Sequence, residues 1–163
     1  MRHNIRFMKA KQTEVQDPHS FHVSLKLILE NGKGEMLILR LPETSSMAGY
    51  YDLPGGRINT EELYDAYEKI IKREVAEELG GKVRYRLAMR PVSMARHVFF
   101  SKKQNRDACI FLIFMKAEYL GGEIELSGEH VAYEWVKLNA RKTNRYFIKG
   151  LQEGLRNYLR WNS

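Results

Sequence analysis

Residues 21–29 alternate between apolar and polar positions and then run apolar, which predicts a strand. Asn31-Gly32-Lys33-Gly34 predicts a turn, and residues 35–40, with the run Met36-Leu37-Ile38-Leu39, a second strand. A loop of small residues over 42–49 leads into Tyr50-Tyr51-Asp52-Leu53, and Pro54-Gly55-Gly56 forces a sharp turn. Residues 59–79 predict a helix, with Asn59 or Thr60 as its cap, Glu61 and Glu62 at its positive end, and Gly80-Gly81 stopping it. One or two strands follow within 82–100, another over 108–118 and another over 131–136. The basic tip 101–106 and the turn Gly121-Gly122 separate some of them. In the tail, Phe147, Leu151, Leu155 and Leu159 recur every four residues, which predicts an amphipathic helix over 143–159. The expected class is α/β or α+β with a mixed β-sheet.

Composition narrows the setting. The chain has 163 residues, 44% hydrophobic and 29% charged, enough for one core and too ordered for a disordered chain. With no repeat or linker, the expected organisation is an N-terminal extension over 1–20 and a single domain over 21–163. The net charge of +7 points to anionic partners without separating nucleic acid from nucleotides. The one cysteine, Cys109, lies in an apolar run, which excludes a disulfide framework and predicts a small buried core residue. No apolar stretch is long enough to span a membrane and the start is not a secretory signal, so a cytoplasmic setting is expected.

The chemistry concentrates in Arg73-Glu74-Val75-Ala76-Glu77-Glu78-Leu79-Gly80. On a helix Glu74 and Glu78 stack one turn apart with Glu77 beside Glu74, and like charges so placed repel. Tyr67, Ile70 and Ile71 fall on the same side as Glu74, while Asp65, Lys69 and Lys72 fall opposite. Carboxylates that continue an apolar face are costly unless paired or metal-bound, which favours a metal site over a solvated acidic face. The glycines of the preceding turn allow close backbone approach, and carbonyl plus carboxylate oxygens suit Mg²⁺ or Mn²⁺.

Leu53-Pro54-Gly55-Gly56 followed by Arg73-Glu74-Val75-Ala76-Glu77-Glu78-Leu79-Gly80 resembles the Nudix (MutT-like) box. Gly56, five residues and Glu62 match its front half, but ten residues separate Glu62 from Arg73 where the family pattern has seven. A three-residue insertion keeps Gly56 and Glu62, with Asp65 as the weaker stand-in; Gly81 replaces the aliphatic residue after Gly80. The resemblance implies a Nudix-like α/β/α sandwich and a metal-dependent pyrophosphohydrolase acting on a nucleotide or nucleoside diphosphate derivative.

It further implies Glu74, Glu77, Glu78 and the Gly55 carbonyl as Mg²⁺ or Mn²⁺ ligands. Arg73 would hold the carboxylates, and Glu62 or Asp65 would support the loop and helix. The general base is Glu74 or a loop glutamate among Glu123, Glu125 and Glu129, with Glu129 ranked first of the loop group. His97, Tyr50, Tyr51 and the basic residues Lys102, Lys103 and Arg106 are weaker candidates for substrate contact, and Trp135 is expected in the core. Partners reduce to a small-molecule nucleotide, an RNA end as a variant substrate, no membrane, and a monomer or homodimer. The competing reading is a non-catalytic Nudix-fold nucleotide sensor or nucleic-acid-binding module, which the intact carboxylate set disfavours.

Overall fold

A computed structural model describes residues 20–101 and 105–161, so all but Ser20 of the expected N-terminal extension, and the basic residues Lys102 and Lys103, lie outside the described residues. The strands are β1 (His22–Glu30), β2 (Met36–Arg40), β3 (Tyr51–Asp52), β4 (Arg84–Ser101), β5 (Arg106–Gly121) and β6 (Ala132–Val136). The helices are α1 (Tyr67–Leu79), α2 (Thr143–Tyr146) and α3 (Lys149–Trp161). Strands β1 and β5 run parallel in continuous register from His22↔Ile110 to Glu30↔Glu118, and β4 pairs antiparallel with β5. The sheet is mixed, as expected, in the order β3-β2-β1-β5-β4, with β6 on β2.

The β1–β2 hairpin splays, and its only strand pairing is Glu30↔Met36. The chain from β3 onward fills the gap. Tyr51 and Asp52 pair with Arg40 and Leu39 of β2. Beyond them the Leu27 N–H donates to the Pro54 carbonyl at 2.7 Å, the Leu25 N–H to the Gly56 carbonyl at 2.9 Å, and the Ile58 N–H to the Val23 carbonyl at 3.0 Å. The Pro-Gly-Gly turn is thereby bonded to the sheet as an irregular strand.

Strand alternation sends Leu25, Leu27 and Leu29 into a core with Ile70, Ile71, Val75 and Leu79 of α1. Ile28 and Ile38 face the opposite layer, with Phe114, Phe147, Leu151 and Leu155 on the α3 side. A helix thus covers each face of the sheet, which is the sandwich the resemblance implied.

Several elements differ from expectation. The helix expected over 59–79 is divided into a 3-10 turn at Thr60–Glu62 and α1, with Ala66 extended between them at φ −65° and ψ 139°. The Asn59–Glu62 capping box closes the first turn on itself, so Glu62 ends up buried instead of on a continuing helix surface. The tail helix is likewise divided, because Phe147 adopts an extended backbone (φ −128°, ψ 154°) that turns its ring wholly into the core. Of the one or two strands expected within 82–100 there is one, the long β4, whose register is irregular around Pro91, which cannot donate a ladder hydrogen bond. Cys109 is half-buried on β5 and not a core residue. Trp135 is partly buried against the α1-side core, its ring 4.9 Å from that of Tyr119.

Truncating Phe147 leaves a cavity where the two tail helices meet the sheet. Phe147→Ala is expected to lower unfolding free energy by about 3–5 kcal/mol in urea titration, whereas a cost within ~0.5 kcal/mol would contradict this packing role.

Candidate active site

The buried residues of α1 are Ile70, Ile71, Glu74, Val75, Glu78 and Leu79, so the two glutamates do continue the apolar face. Glu74 is 8% exposed and Glu78 5%, whereas Glu77 is exposed. All three line an open cleft of about 850 Å³ together with Gly55, Gly56, Arg73, Lys26 and Asp52. Its other walls come from β4 and β5 (His97, Phe99, Phe100, Ile110, Leu112), from Leu41 and Met47, from Glu129 and His130, and from Ile148, Lys149 and Leu151.

Arg73 organises the carboxylates. Its Nε and Nη2 donate to the two oxygens of Glu62 as a fork, Nη2 at 2.9 Å. Nη2 also reaches Glu74 Oε1 and Nη1 reaches Glu77 Oε2, both at 2.8 Å. The Asn59 N–H completes the shell of Glu62 at 2.9 Å. Arg73 holds the Glu62 carboxyl below its usual range. Asp65 is bonded instead to Lys69 at 2.8 Å on the helix surface. Of the two front-half candidates, only Glu62 touches the cluster.

The turn is shaped for this approach. Gly55 sits at φ 115°, and a Cβ there would collide with the Leu25 carbonyl oxygen. A Cβ on Gly56 would run into the Glu74 carboxylate. Brought this close, the Gly55 N–H donates to Glu78 Oε2 at 2.7 Å. Lys26 then contributes a cation: its Nζ donates to the Gly55 carbonyl at 2.6 Å, to Asp52 Oδ2 at 2.9 Å and to the Leu53 carbonyl at 3.3 Å.

Burial dominates the electrostatics of the α1 carboxylates. It pushes Glu78 up to about 8, against the opposing pull of Lys26 and the Gly55 N–H. It also raises Glu74, opposed by Arg73. Burial lowers His97 and His130. The His130 Nδ1 atom has no hydrogen-bond partner among the described residues.

The donor set fits a hard divalent cation. Two carboxylates held above their ordinary range by desolvation gain from a positive charge, and every candidate donor is oxygen. Among the described residues no three His, Cys, Asp or Glu side chains already converge as a cage. Arg73 draws Glu74 and Glu77 toward itself and Lys26 engages the Gly55 carbonyl. An ion bound through one or two carboxylates, with water and phosphate completing its shell, matches the usual habit of Mg²⁺.

The loop glutamates separate by partner. Glu123 and Glu125 both bind Lys82, at 3.0 and 2.5 Å, and do not line the cleft. Glu129 does line it, because the Leu79 and Glu78 carbonyls accept from the Glu125 and Ser127 N–H groups and draw the following loop over the end of α1. His97 is buried in the cleft wall. Tyr50 and Tyr51 are not among the lining residues; the Tyr51 hydroxyl donates to Glu134 and its ring packs on Tyr146. Lys26, Asp52 and His130 are cleft residues that motif reading missed. Lys26 alone left a signal, a charge set between Leu25 and Leu27 in an apolar strand.

Because the folded chain holds Glu78 up to about 8 while the unfolded chain releases that proton near 4.5, the stabilising contribution is complete at low pH and is lost as pH rises through 8. Metal-free protein is expected to lose thermal stability between about pH 5 and 8, and Glu78→Gln to flatten that slope. Parallel melting-point curves for the two proteins would contradict the assignment.

Comparison with known proteins places the site in a family. The NUDIX domain model matches residues 20–161. No curated protein matched the sequence. Among solved structures, the chain is similar to a MutT protein from Methanosarcina mazei Go1, with 25% identity, a TM-score of 0.61, and coverage of 86% of this chain and 91% of that one. It is also similar in fold to the E. coli ORF135 protein, at 19% identity and TM-score 0.61 over 88% and 91% of the two chains. An ADP-ribose pyrophosphatase from Streptococcus suis 89-1591 shares 19% identity at TM-score 0.58, over 88% and 92%. With the family model covering the whole sandwich and its carboxylate helix, this chain belongs to the NUDIX domain family and is a Nudix hydrolase.

Proposed function

We propose that this Nudix hydrolase is a metal-dependent pyrophosphohydrolase that cleaves the diphosphate linkage of a nucleotide or nucleoside diphosphate derivative. The observation that carries this reading is the placement of Glu74 and Glu78, both buried on α1 and both lining the cleft against the Gly55-Gly56 turn. A solvated acidic helix face would show neither the burial nor the turn. Glu74, Glu78 and the Gly55 carbonyl would hold Mg²⁺ or Mn²⁺, with Glu77 as a further or water-mediated ligand. Bound there, the ion would supply charge neutralisation for the diphosphate and acidity for a water.

The chain's own residues do the rest. Arg73 fixes the carboxylates by binding three of them at once, and Glu62 anchors Arg73 from the loop. In this reading the box carries three extra residues between Glu62 and Arg73, and the turn over 63–65 lets Glu62, favoured over Asp65, fold back onto Arg73. The cleft's aromatic and aliphatic wall, which includes Phe99, Phe100, Ile110 and Leu112, suits a nucleoside base. Arg57 and Lys149 on its rim suit phosphate oxygens. In this reading the proton acceptor for the attacking water is Glu74 or Glu129, both of which line the cleft, whereas Glu123 and Glu125 pair with Lys82 outside it.

The test is hydrolysis of a Mg²⁺-supplemented panel of nucleoside triphosphates, ADP-ribose, dinucleoside polyphosphates, nucleotide sugars and capped RNA. Wild-type protein should cleave at least one class, and Glu78→Gln should reduce kcat/KM on it by about a hundredfold or more. Glu129→Gln then separates the bases: a large fall in kcat with unchanged Mg²⁺ requirement assigns the role to Glu129, and no fall assigns it to Glu74. An inactive wild type across the panel, or a fully active Glu78→Gln, overturns the reading.

A further inference from the structure

Lys26 is a buried cation in the middle of β1, 8% exposed and flanked in sequence by Leu25, Leu27 and Ile28, all of them essentially inaccessible. An ammonium in such a run is costly unless each of its donors is matched. The structure matches all three: Asp52 Oδ2 at 2.9 Å, the Leu53 carbonyl at 3.3 Å and the Gly55 carbonyl at 2.6 Å. The shortest of these contacts falls on the one backbone oxygen of the proposed ligand set. The N–H of that same glycine donates to Glu78 at 2.7 Å. A single residue therefore joins a resident cation on one side to a carboxylate ligand on the other.

We propose that Lys26 is a tethered counter-cation that occupies the Gly55 carbonyl in the metal-free protein and thereby sets how tightly the site takes a divalent ion. This rests on the metal-dependent reading given above. An ammonium 2.6 Å from the Gly55 oxygen places a unit charge beside any cation sharing that oxygen, and at such separations in a partly buried cleft the repulsion is large. Loading the site therefore requires the amine to leave Gly55. Asp52 and Leu53 still satisfy two of its three donors, so the amine has a place to rest. In the metal-free chain the same contact ties β1 to the turn and offsets the negative charge of the α1 carboxylates. Lys26 is thus a positioning residue that trades metal affinity for a stable metal-free site.

The inference is tested by Mn²⁺ binding to the full-length protein, read from the electron paramagnetic resonance signal of free Mn²⁺. Wild type should bind at a site lost in Glu78→Gln. Lys26→Met and Lys26→Gln should each bind Mn²⁺ at least about tenfold more tightly than wild type. Their melting points should be lower without metal and rise more on adding Mn²⁺. On unaltered protein with labelled lysine, saturation with diamagnetic Mg²⁺ should shift the Lys26 side-chain nitrogen resonance, which keeps the test open if a variant does not fold. If the Lys26 variants bind no more tightly than wild type, or if Mg²⁺ leaves the Lys26 resonance in place, the counter-cation role is overturned while the metal site stands. If wild type shows no Mn²⁺ binding sensitive to Glu78→Gln, the metal-dependent reading itself fails.

Discussion

A carboxylate on the buried face of a helix must find positive charge or give up its own, and α1 carries two of them. Glu74 and Glu78 stand where Ile70, Ile71, Val75 and Leu79 would otherwise define an uninterrupted apolar stripe. The fold answers this with two cations, Arg73 and Lys26. Arg73 serves Glu62, Glu74 and Glu77 from the helix side, and Lys26 serves the turn, through Asp52 and Gly55, from the sheet side. Neither suffices to make Glu78 an ordinary carboxylate, since burial still raises it to about 8. The remaining imbalance is what a divalent ion would relieve.

The sheet makes that arrangement stiff. By splaying away from β2, β1 exposes the Leu25 and Leu27 N–H groups, which the Gly56 and Pro54 carbonyls satisfy, so the turn is held by the same kind of bond as a strand. Close approach then depends on the missing side chains. At Gly55 a Cβ would strike the sheet, and at Gly56 it would strike Glu74. The helix end is fixed in the same spirit, with the last carbonyls of α1 satisfied by backbone of the loop that carries Glu129 and His130.

Much of this was legible in the sequence. The helical spacing of Glu74 and Glu78 with Ile70 and Ile71 placed the glutamates on the buried face, and the glycine pair marked the turn that meets them. Strands β1, β2 and β5 followed from alternation or apolar runs because they bury one or both faces. What could not be read were contacts made across long separations. The pairing of Lys26 with Asp52 and Gly55 depends on the splayed hairpin, and no local pattern encodes the splay. The breaks at Glu62 and Phe147 were hidden for a related reason. In each, a residue with good helical spacing is claimed by a tertiary partner, Arg73 for Glu62 and the core for Phe147. Tyr50 and Tyr51, adjacent to the turn in sequence, are not part of the cleft wall.

Glu78 is a buried carboxyl raised to about 8, and in the proposed reading a divalent cation would relieve it. Carbon-13 NMR of the glutamate side-chain carboxyls, followed through a pH titration with and without Mg²⁺, addresses it directly. The account predicts a Glu78 resonance that titrates near 8 in metal-free protein and whose titration moves well below neutrality when Mg²⁺ is present. A Glu78 carboxyl that titrates near the ordinary 4.5 and ignores Mg²⁺ would contradict it.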